Sequence, residues 1–232
     1  MALIMVSGAT GGIGSEVVRQ LRKRGDEVIA VGRDAEKLSG LDARPLVLDF
    51  TDPASIEPAV RAAGVERLDA VVHAAGVIHL AGIEQATPDS WAHQLAVNLT
   101  GPAELTRTTL PALRAAGGHA VFINFWAGPT AKPYWGAYAA GKFGLKALAD
   151  SLRGEEAGNG VRVTSIFPAC VATPMQQAVR EGFGFEYRPE TLNQPDTVAG
   201  LILTALDAPA NTRLNELFLG LGPEGYPPGV TF

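Results

Sequence analysis

The sequence has one cysteine, no basic run longer than Arg22-Lys23-Arg24 and no apolar run of membrane-spanning length. Cys170 has no partner for an intrachain disulfide, so we expect a protein of the reducing cytoplasm. The net charge of −5 and the scattered Lys and Arg residues give no reason to expect a nucleic-acid partner. The apolar runs fall short of the roughly 18 residues that cross a bilayer. Met1–Val6 lacks the charged segment of a leader, so no membrane partner is expected.

Short apolar runs alternate with longer helical patterns along the whole chain. At 232 residues, 47% hydrophobic and 19% charged, the composition fits one globular domain over residues 1–232. The runs are continuous and bounded by turn residues, as in strands that are buried on both faces. The alternation predicts an α/β fold, a doubly wound sheet of about seven mainly parallel strands with helices on both faces. The predicted strands are Leu3–Ser7, Glu27–Val31, Pro45–Leu48, Ala70–Ala74, Ala120–Asn124, Arg162–Phe167 and Glu216–Leu219.

Apolar residues at helical spacing predict long helices at Ile13–Arg24, Trp91–Ala116 and Tyr138–Leu152. The segment Pro168–Asn193 has little periodicity and several prolines. An irregular segment of this length in a compact domain is usually a lid or a binding loop. We therefore predict a substrate loop at about residues 168–193.

A glycine-rich turn follows the first predicted strand and opens the first helix. Glycines allow a tight turn and a close approach of the backbone to a phosphate, and the helix N-terminus offers free N–H groups to an anion. The spacing G-x-x-x-G-x-G differs from the common G-x-G-x-x-G fingerprint. A tight turn without a ligand is one interpretation. The other is a dinucleotide site formed by Gly8, Thr10, Gly12, Ile13 and Gly14.

The residues after the second strand predict which dinucleotide binds. Gly32 occupies the strand tip, where an acidic residue would accept from a ribose 2′-hydroxyl, and Arg33 follows, which suits a 2′-phosphate. NADP(H) is therefore favoured over NAD(H). Asp34 comes next, and it either competes for the ribose or caps the helix that begins at Ala35.

Two later strand ends complete the predicted cofactor site. Asp49, followed by Phe50 after the third strand, either accepts from the adenine amine or caps its own loop. Ala75 and Gly76 follow the fourth strand, and their small size lets a flat ring lie against the backbone.

Tyr138 and Lys142 stand four residues apart and so share one face of a helix. A phenol is a weak acid with a pKa near 10, and an adjacent ammonium group lowers that pKa. The pair suits proton transfer to or from a substrate oxygen, although the same spacing also occurs by chance on helix surfaces.

Five motifs, in the same order along the chain, resemble those of the short-chain dehydrogenase/reductase family in its NADP(H)-dependent type. They are the glycine turn Gly8/Gly12/Gly14, His73-Ala-Ala-Gly76, Asn98 in Val-Asn-Leu-Thr, Tyr138-x-x-x-Lys142 and Pro168-Ala-Cys-Val-Ala-Thr173. The resemblance covers essentially the whole chain. It implies a Rossmann-type fold, hydride transfer between a nicotinamide and a carbonyl or alcohol, and often a tetramer.

The resemblance also implies roles for individual residues. The implied catalytic residues are Tyr138, Lys142 and Asn98, and the implied cofactor residues of the last motif are Pro168, Val171 and Thr173. Pro102 has no N–H, so the carbonyl of residue 98 loses its helical partner. That carbonyl is expected to hold the water of the family's proton relay to Lys142.

Phe125 departs from the family pattern, because it stands thirteen residues before Tyr138, where the family has a catalytic serine. Neither Phe125 nor Trp126 carries a hydroxyl, and loss of one such donor costs roughly 10²–10³ in rate. We interpret both rings as walls of a substrate pocket to which Tyr134 and Met175 also belong, and we expect no metal there.

Several functions stay open on the sequence alone. An NADPH-dependent reductase would transfer hydride to a carbonyl carbon with Tyr138 as proton donor. It would equally serve an imine, which develops no oxyanion and needs the serine less. Phe125 also fits a pocket reshaped by engineering or by a shift of substrate. The alternative is a non-catalytic NADP(H)-binding sensor or scaffold.

Small residues are frequent in Tyr138–Leu152, which allows another helix to approach closely. Together with Trp91–Ala116 they predict the four-helix seam of a homodimer or homotetramer. Close packing within one subunit is the other interpretation. The tail Pro223–Phe232 is expected to close a substrate pocket or to be loose.

Overall fold

The fold is a parallel sheet covered by helices, described by a computed structural model over residues 1–125 and 131–222. The strands of this part are β1 Leu3–Ser7, β2 Glu27–Gly32, β3 Arg44–Val47, β4 Ala70–His73, β5 His119–Ile123, β6 Arg162–Pro168 and β7 Glu216–Leu219. They form one sheet in the order β3-β2-β1-β4-β5-β6-β7, and every neighbouring pair is parallel. Each predicted strand is present with its ends displaced by at most one residue. The predicted Rossmann-type α/β fold is confirmed.

The α-helices lie between and after these strands. They are α1 Gly12–Arg24, α2 Ala35–Ser39, α3 Ile56–Ala62, α4 Pro88–Leu95, α5 Gly101–Ala116, α6 Gly136–Glu155, α7 Pro174–Gly182 and α8 Pro195–Asp207. Short 3₁₀ turns lie at Pro53–Ser55 and Pro189–Thr191. A π-helical turn at Ala96–Thr100 joins α4 to α5, so the two continue one another as the prediction for Trp91–Ala116 requires.

Both faces of the sheet are buried, and successive residues of one strand enter different cores. On β1, Met5 belongs to a core with Leu105 of α5, whereas its neighbour Ile4 belongs to a second core with Val17 of α1 and Ile202 of α8. Burial on both faces explains why the strands are continuous apolar runs rather than alternating ones.

The position of β1 decides where a ligand can bind. β1 lies between β2 and β4, so the chain proceeds outward from it in one direction to β3 and in the other to β7. Doubly wound sheets bind ligands in the crevice outside the carboxyl ends of the strands at such a switch point. The glycine turn after β1 and the small residues after β4 therefore face the same crevice.

The segment Pro168–Asn193 is more regular than the sequence indicated. The expected irregular structure is therefore corrected, whereas the substrate loop stays a prediction. The segment contains α7, whose first turn is capped by the Thr173 hydroxyl accepting from the Gln176 N–H at 3.3 Å. A bridge between Val171 and Asn193 ties the two ends of the segment together. Val179 is the one buried residue of α7, so little of this helix belongs to the core.

Two glycines of α6 serve packing within the subunit. An added Cβ at Gly141 would lie 3.0 Å from Asn98 Cβ, and one at Gly144 would lie 2.6 Å from Leu99 Cδ2. The missing side chains let α6 pack closely on the π-helical turn. Packing within one subunit therefore accounts for part of the small-residue pattern that predicted an oligomer.

Some of the sequence predictions fall on residues that the structure does not describe. Trp126 and the tail Pro223–Phe232 lie outside the described residues. Within residues 1–125 and 131–222, no helix has both the length and the apolarity that crossing a bilayer requires. The same residues include no group of three or more His, Cys, Asp or Glu placed to hold a metal ion.

Candidate active site

A cleft of about 430 Å³ lies outside the carboxyl ends of β1, β2 and β4. Its walls bring together most of the predicted cofactor residues, although these are distant in the sequence. They are Gly8, Thr10, Gly12, Ile13, Gly14, Arg33, Asp49, Phe50, Ala75, Gly76 and Thr173.

The glycine turn leaves no room for side chains. Gly8 has φ +66°, and a Cβ there would lie 2.7 Å from the backbone of Ala75. A Cβ at Gly14 would lie 2.1 Å from the carbonyl oxygen of Gly8. The first turn of α1 has no side-chain cap and no acidic residue, so its free N–H groups and positive dipole end are available to an anion. These residues fit the pyrophosphate of a dinucleotide.

The acidic residues near the adenosine end of the cleft stabilise the fold. The Asp34 carboxylate accepts from the Lys37 N–H at 3.1 Å and caps α2, which lowers the pKa of Asp34. Asp49 Oδ1 accepts from the N–H and the hydroxyl of Thr51 at 2.9 and 2.7 Å. These bonds lower the pKa of Asp49, and the charge of Arg33 contributes less. Arg33 lines the cleft, whereas Asp34 does not.

A second cavity of about 100 Å³ adjoins the cleft, and Ile13, Gly76, Thr173 and Met175 belong to the walls of both. From the predicted set it is lined by Phe125, Tyr138, Lys142, Pro168 and Val171. A ligand in the cleft can therefore reach the side chains that were expected to transfer protons.

The segment before α7 closes on the glycine turn at the junction of the two cavities. A Cβ at Gly12 would lie 2.6 Å from Thr173 Cγ2, so the turn and the segment are in van der Waals contact. The Thr173 hydroxyl donates to the carbonyl of Val171 at 3.2 Å, which holds it at this junction.

Tyr138 and Lys142 are both buried, and burial controls their protonation. Lys142 Nζ lies 5.9 Å from the centre of the Tyr138 ring and donates to the carbonyl oxygen of Ile123 at 2.8 Å. Burial lowers the pKa of Lys142 to about 8. Burial raises the pKa of Tyr138, and the nearby Cys170 adds to the effect. The adjacent ammonium group was expected to lower the pKa of Tyr138; instead desolvation raises it, so the phenol is protonated at neutral pH.

Residues 2–183 match the family model described as short chain dehydrogenase. The chain belongs to the short-chain dehydrogenase/reductase family. It is therefore an oxidoreductase of that family, with the parallel sheet described above.

Several individual proteins resemble this member of the family. A glycine betaine reductase from Emericella nidulans is 33% identical over 93% of this chain, which spans only 18% of that protein's length. A trans-4-hydroxycyclohexanecarboxylate dehydrogenase from Sinomonas cyclohexanicum is 34% identical over 78% of this chain and 76% of its own. The structure of an actinorhodin polyketide ketoreductase variant with NADPH has a TM-score of 0.85 and 26% identity, and it covers 97% of this chain and 98% of its own.

Phe125 belongs to a cluster of three aromatic rings with Trp135 and Tyr138. The Phe125 ring stacks on Trp135 at 5.3 Å between centroids and meets the edge of Tyr138 at 5.8 Å. Trp135 also contacts Tyr138, at 5.6 Å. Sequence reasoning missed Trp135, although its place three residues before Tyr138, at the start of the same helix, was a usable signal.

Asn98 lines neither cavity, and its side chain holds the backbone after β4. Its Oδ1 accepts from the Val77 N–H at 3.0 Å and its Nδ2 donates to the Val77 carbonyl at 2.8 Å. A Cβ at Gly76 would lie 3.3 Å from Asn98 Oδ1 and 3.7 Å from Lys142 Nζ, so Gly76 separates the two side chains. Asn98 thus positions the wall of the site, and the water relay at its carbonyl stays a prediction.

The lining of the cavity differs from the predicted set at two residues, Tyr134 and Cys170. Tyr134 does not line the cavity. It has φ +71°, is 57% exposed and meets the Phe183 ring at 6.1 Å, just beyond the end of α7. Cys170 does line it. Burial raises the pKa of the Cys170 thiol, and Arg180 and Lys132 act in the opposite direction from close by.

We predict that Lys142→Met makes the protein more stable. Because the folded pKa is about 8 and the ordinary value is 10.5, the unfolded chain binds more protons between these pH values. The folded state therefore bears the full desolvation cost below about pH 8, and this cost disappears toward pH 10.5. We expect the free energy of unfolding to rise by about 1–3 kcal/mol at pH 7, with a smaller gain at pH 9.5, measured by urea unfolding.

The control for this variant is Lys146→Met on the exposed side of the same helix. Lys146 is 44% exposed and forms ion pairs with Asp150 and Glu216, so its loss should change stability by less than about 1 kcal/mol. A Lys142→Met protein that is less stable than the parent at pH 7 would show that the Ile123 hydrogen bond outweighs desolvation.

Proposed function

We propose that this chain is an NADPH-dependent reductase that transfers hydride to the carbonyl carbon of a small molecule, with Tyr138 as the proton donor. The observation that carries the proposal is the burial of Tyr138 and Lys142 in a cavity that shares its walls with the dinucleotide cleft. A protein that only binds a nucleotide has no need to keep a phenol and an ammonium group buried there.

The fit of the cleft supports a dinucleotide with a 2′-phosphate. The turn Gly8–Gly14 and the N-terminus of α1 would hold the pyrophosphate, and Arg33 would hold the 2′-phosphate. Thr173 and Gly76 would border the nicotinamide. NADPH supplies the hydride when it is bound. The NADPH in the related polyketide ketoreductase structure agrees with this choice.

The protonation states of the site favour reduction. Because burial keeps the Tyr138 phenol protonated, it can give its proton to a carbonyl oxygen that gains negative charge. Lys142 carries a positive charge below about pH 8, which stabilises the phenolate that remains after the transfer.

The substrate we infer is a carbonyl compound with an acidic group. The charges of Arg180 and Lys132 both act to lower the pKa of the Cys170 thiol, which lines the cavity, so both cations lie near that thiol. Two cations near one cavity attract a carboxylate. One relative acts on a hydroxycyclohexanecarboxylate, which agrees with this inference. An imine substrate is the second candidate, because Phe125 offers no hydroxyl.

We predict that Tyr138→Phe lowers kcat for NADPH oxidation by roughly 10²–10⁴, since the ring stays in place and only the proton donor is lost. Turnover is measured with a panel of acidic ketones, neutral ketones and cyclic imines. NADPH affinity, measured by fluorescence titration, should remain within threefold of the parent.

Tyr134→Phe is the matched control, because Tyr134 is exposed and does not line the cavity. It should leave kcat unchanged. Equal turnover by the parent and Tyr138→Phe would refute Tyr138 as donor. NADPH binding without turnover of any compound in the panel would instead indicate a sensor or scaffold.

We predict that Arg33→Ala weakens NADPH and spares NADH. A charge-assisted contact to a phosphate contributes about 1.5–3 kcal/mol, so the Kd for NADPH should rise roughly 10- to 100-fold. Lys37→Ala is the control, because Lys37 is a nearby exposed cation that does not line the cleft. Tighter binding of NADH than of NADPH by the parent would mean that Arg33 does not select the cofactor.

We also propose a homodimer or homotetramer, and we predict that Phe143→Glu breaks it. Phe143 is 41% exposed on α6, and Ala140 and Ala147 are exposed beside it, three and four residues away. Sedimentation velocity should show the variant at the 24.2 kDa monomer and the parent at a multiple of it. Val47→Glu, at a similarly exposed apolar residue of the edge strand β3, should leave assembly unchanged. A monomeric parent contradicts the proposal.

A further inference from the structure

Asn124 directly follows β5 and lines the cavity together with Phe125 and Tyr138. One hydrogen bond holds its side chain, and a backbone hydrogen bond holds the strand end that carries it. Its own N–H donates to the carbonyl of Ile166 at 2.7 Å, and its Oδ1 accepts from the Phe125 N–H at 3.0 Å. With Oδ1 fixed in this way, the orientation of the amide is fixed as well. The residue is 6% exposed.

The amide nitrogen of Asn124 has no hydrogen-bond partner within residues 1–125 and 131–222. A buried donor without a partner is costly, so such atoms are rare and need an explanation. Three other buried side-chain atoms of the described residues share this property, in His73, His119 and Ser165. None of these three residues lines the cleft or the cavity, whereas Asn124 does.

We propose that Asn124 is a catalytic residue whose Nδ2 donates a hydrogen bond to the carbonyl oxygen of the substrate. It would perform the task for which Phe125 has no group. Side-chain amides are established donors for oxyanions, and their effect is greatest where water is excluded. This inference rests on the proposed reductase function.

The chemical step assigns no proton to Asn124. The carbonyl carbon gains the hydride, the electron pair of the C=O π bond moves to the oxygen, and the Tyr138 phenol gives that oxygen its proton. Asn124 Nδ2 keeps both of its protons and stabilises the charge that develops on the oxygen. The amide cannot serve a protonated iminium in this way, because that nitrogen has no lone pair to accept a hydrogen bond. The inference therefore selects a carbonyl substrate over an iminium.

The test is a mutant cycle at residues 124 and 125, with kcat and KM measured separately at saturating NADPH. Asn124→Ala should lower kcat for ketones by roughly 10²–10³ and leave the Kd for NADPH within threefold. Adding Phe125→Ser to Asn124→Ala should raise kcat at least tenfold above that of Asn124→Ala alone. A hydroxyl then stands at the position where the family serine is expected.

Phe125→Ser in the parent background measures whether a donor is already present. Phe125→Ala accompanies it, since both variants lose the ring and only one gains a hydroxyl. We expect the two to have the same kcat within threefold. A gain of tenfold or more for the serine over the alanine would mean that the parent lacks a donor, which overturns the proposal even if Asn124→Ala fails to fold.

Ser165→Ala is the control, because it removes another buried polar atom that has no hydrogen-bond partner among the described residues. This atom lies on β6, away from the cavity. Ser165→Ala should leave kcat unchanged. If Asn124→Ala retains parental kcat while Tyr138→Phe loses it, Asn124 is a structural residue and the proposed function stands. If the parent reduces no carbonyl compound, the proposed function is wrong, and this inference is wrong as well.

Discussion

The buried ammonium group of Lys142 is the constraint on which the rest of the site depends. It is 7% exposed, and its hydrogen bond to the Ile123 carbonyl joins α6 to the carboxyl end of β5. A buried charge without a partner is expensive, so the helix and the strand have to meet at this point. Tyr138, one turn earlier on α6, is thereby directed to the same wall of the cavity.

The end of β5 serves the site through three consecutive residues of different chemistry. Ile123 supplies a carbonyl that holds Lys142, Asn124 supplies an amide donor, and Phe125 supplies a ring that packs against Trp135 and Tyr138. This part of the site therefore has a polar side chain although Phe125 carries none. Asn124, the residue before Phe125, supplies it, and its Oδ1 is held by the Phe125 N–H.

Structural features that depend on the local sequence could be predicted. The seven strands were predictable because burial on both faces leaves continuous apolar runs, and the glycine turn was predictable because Gly8 and Gly14 occupy places where any side chain would clash. The helix α7 was not predicted, although Met175, Ala178 and Val179 are spaced as on one face of a helix. The raised pKa of Tyr138 and the stacking of Phe125 on Trp135 depend on neighbours that only the tertiary fold brings close.

The site brings desolvated polar groups together in a small volume. It contains a desolvated ammonium group, a phenol whose ionised form is disfavoured and an amide donor without a partner. The ammonium group and the amide donor cost the folded protein stability, and a ligand that brings an acceptor or a negative charge to the right place relieves both. Because a ligand that binds only the folded state stabilises it, these two groups would favour an oxygen-bearing substrate under the proposed reductase function. The interaction with a developing oxyanion would be stronger than that with the neutral carbonyl, so it would favour the transition state over the bound substrate.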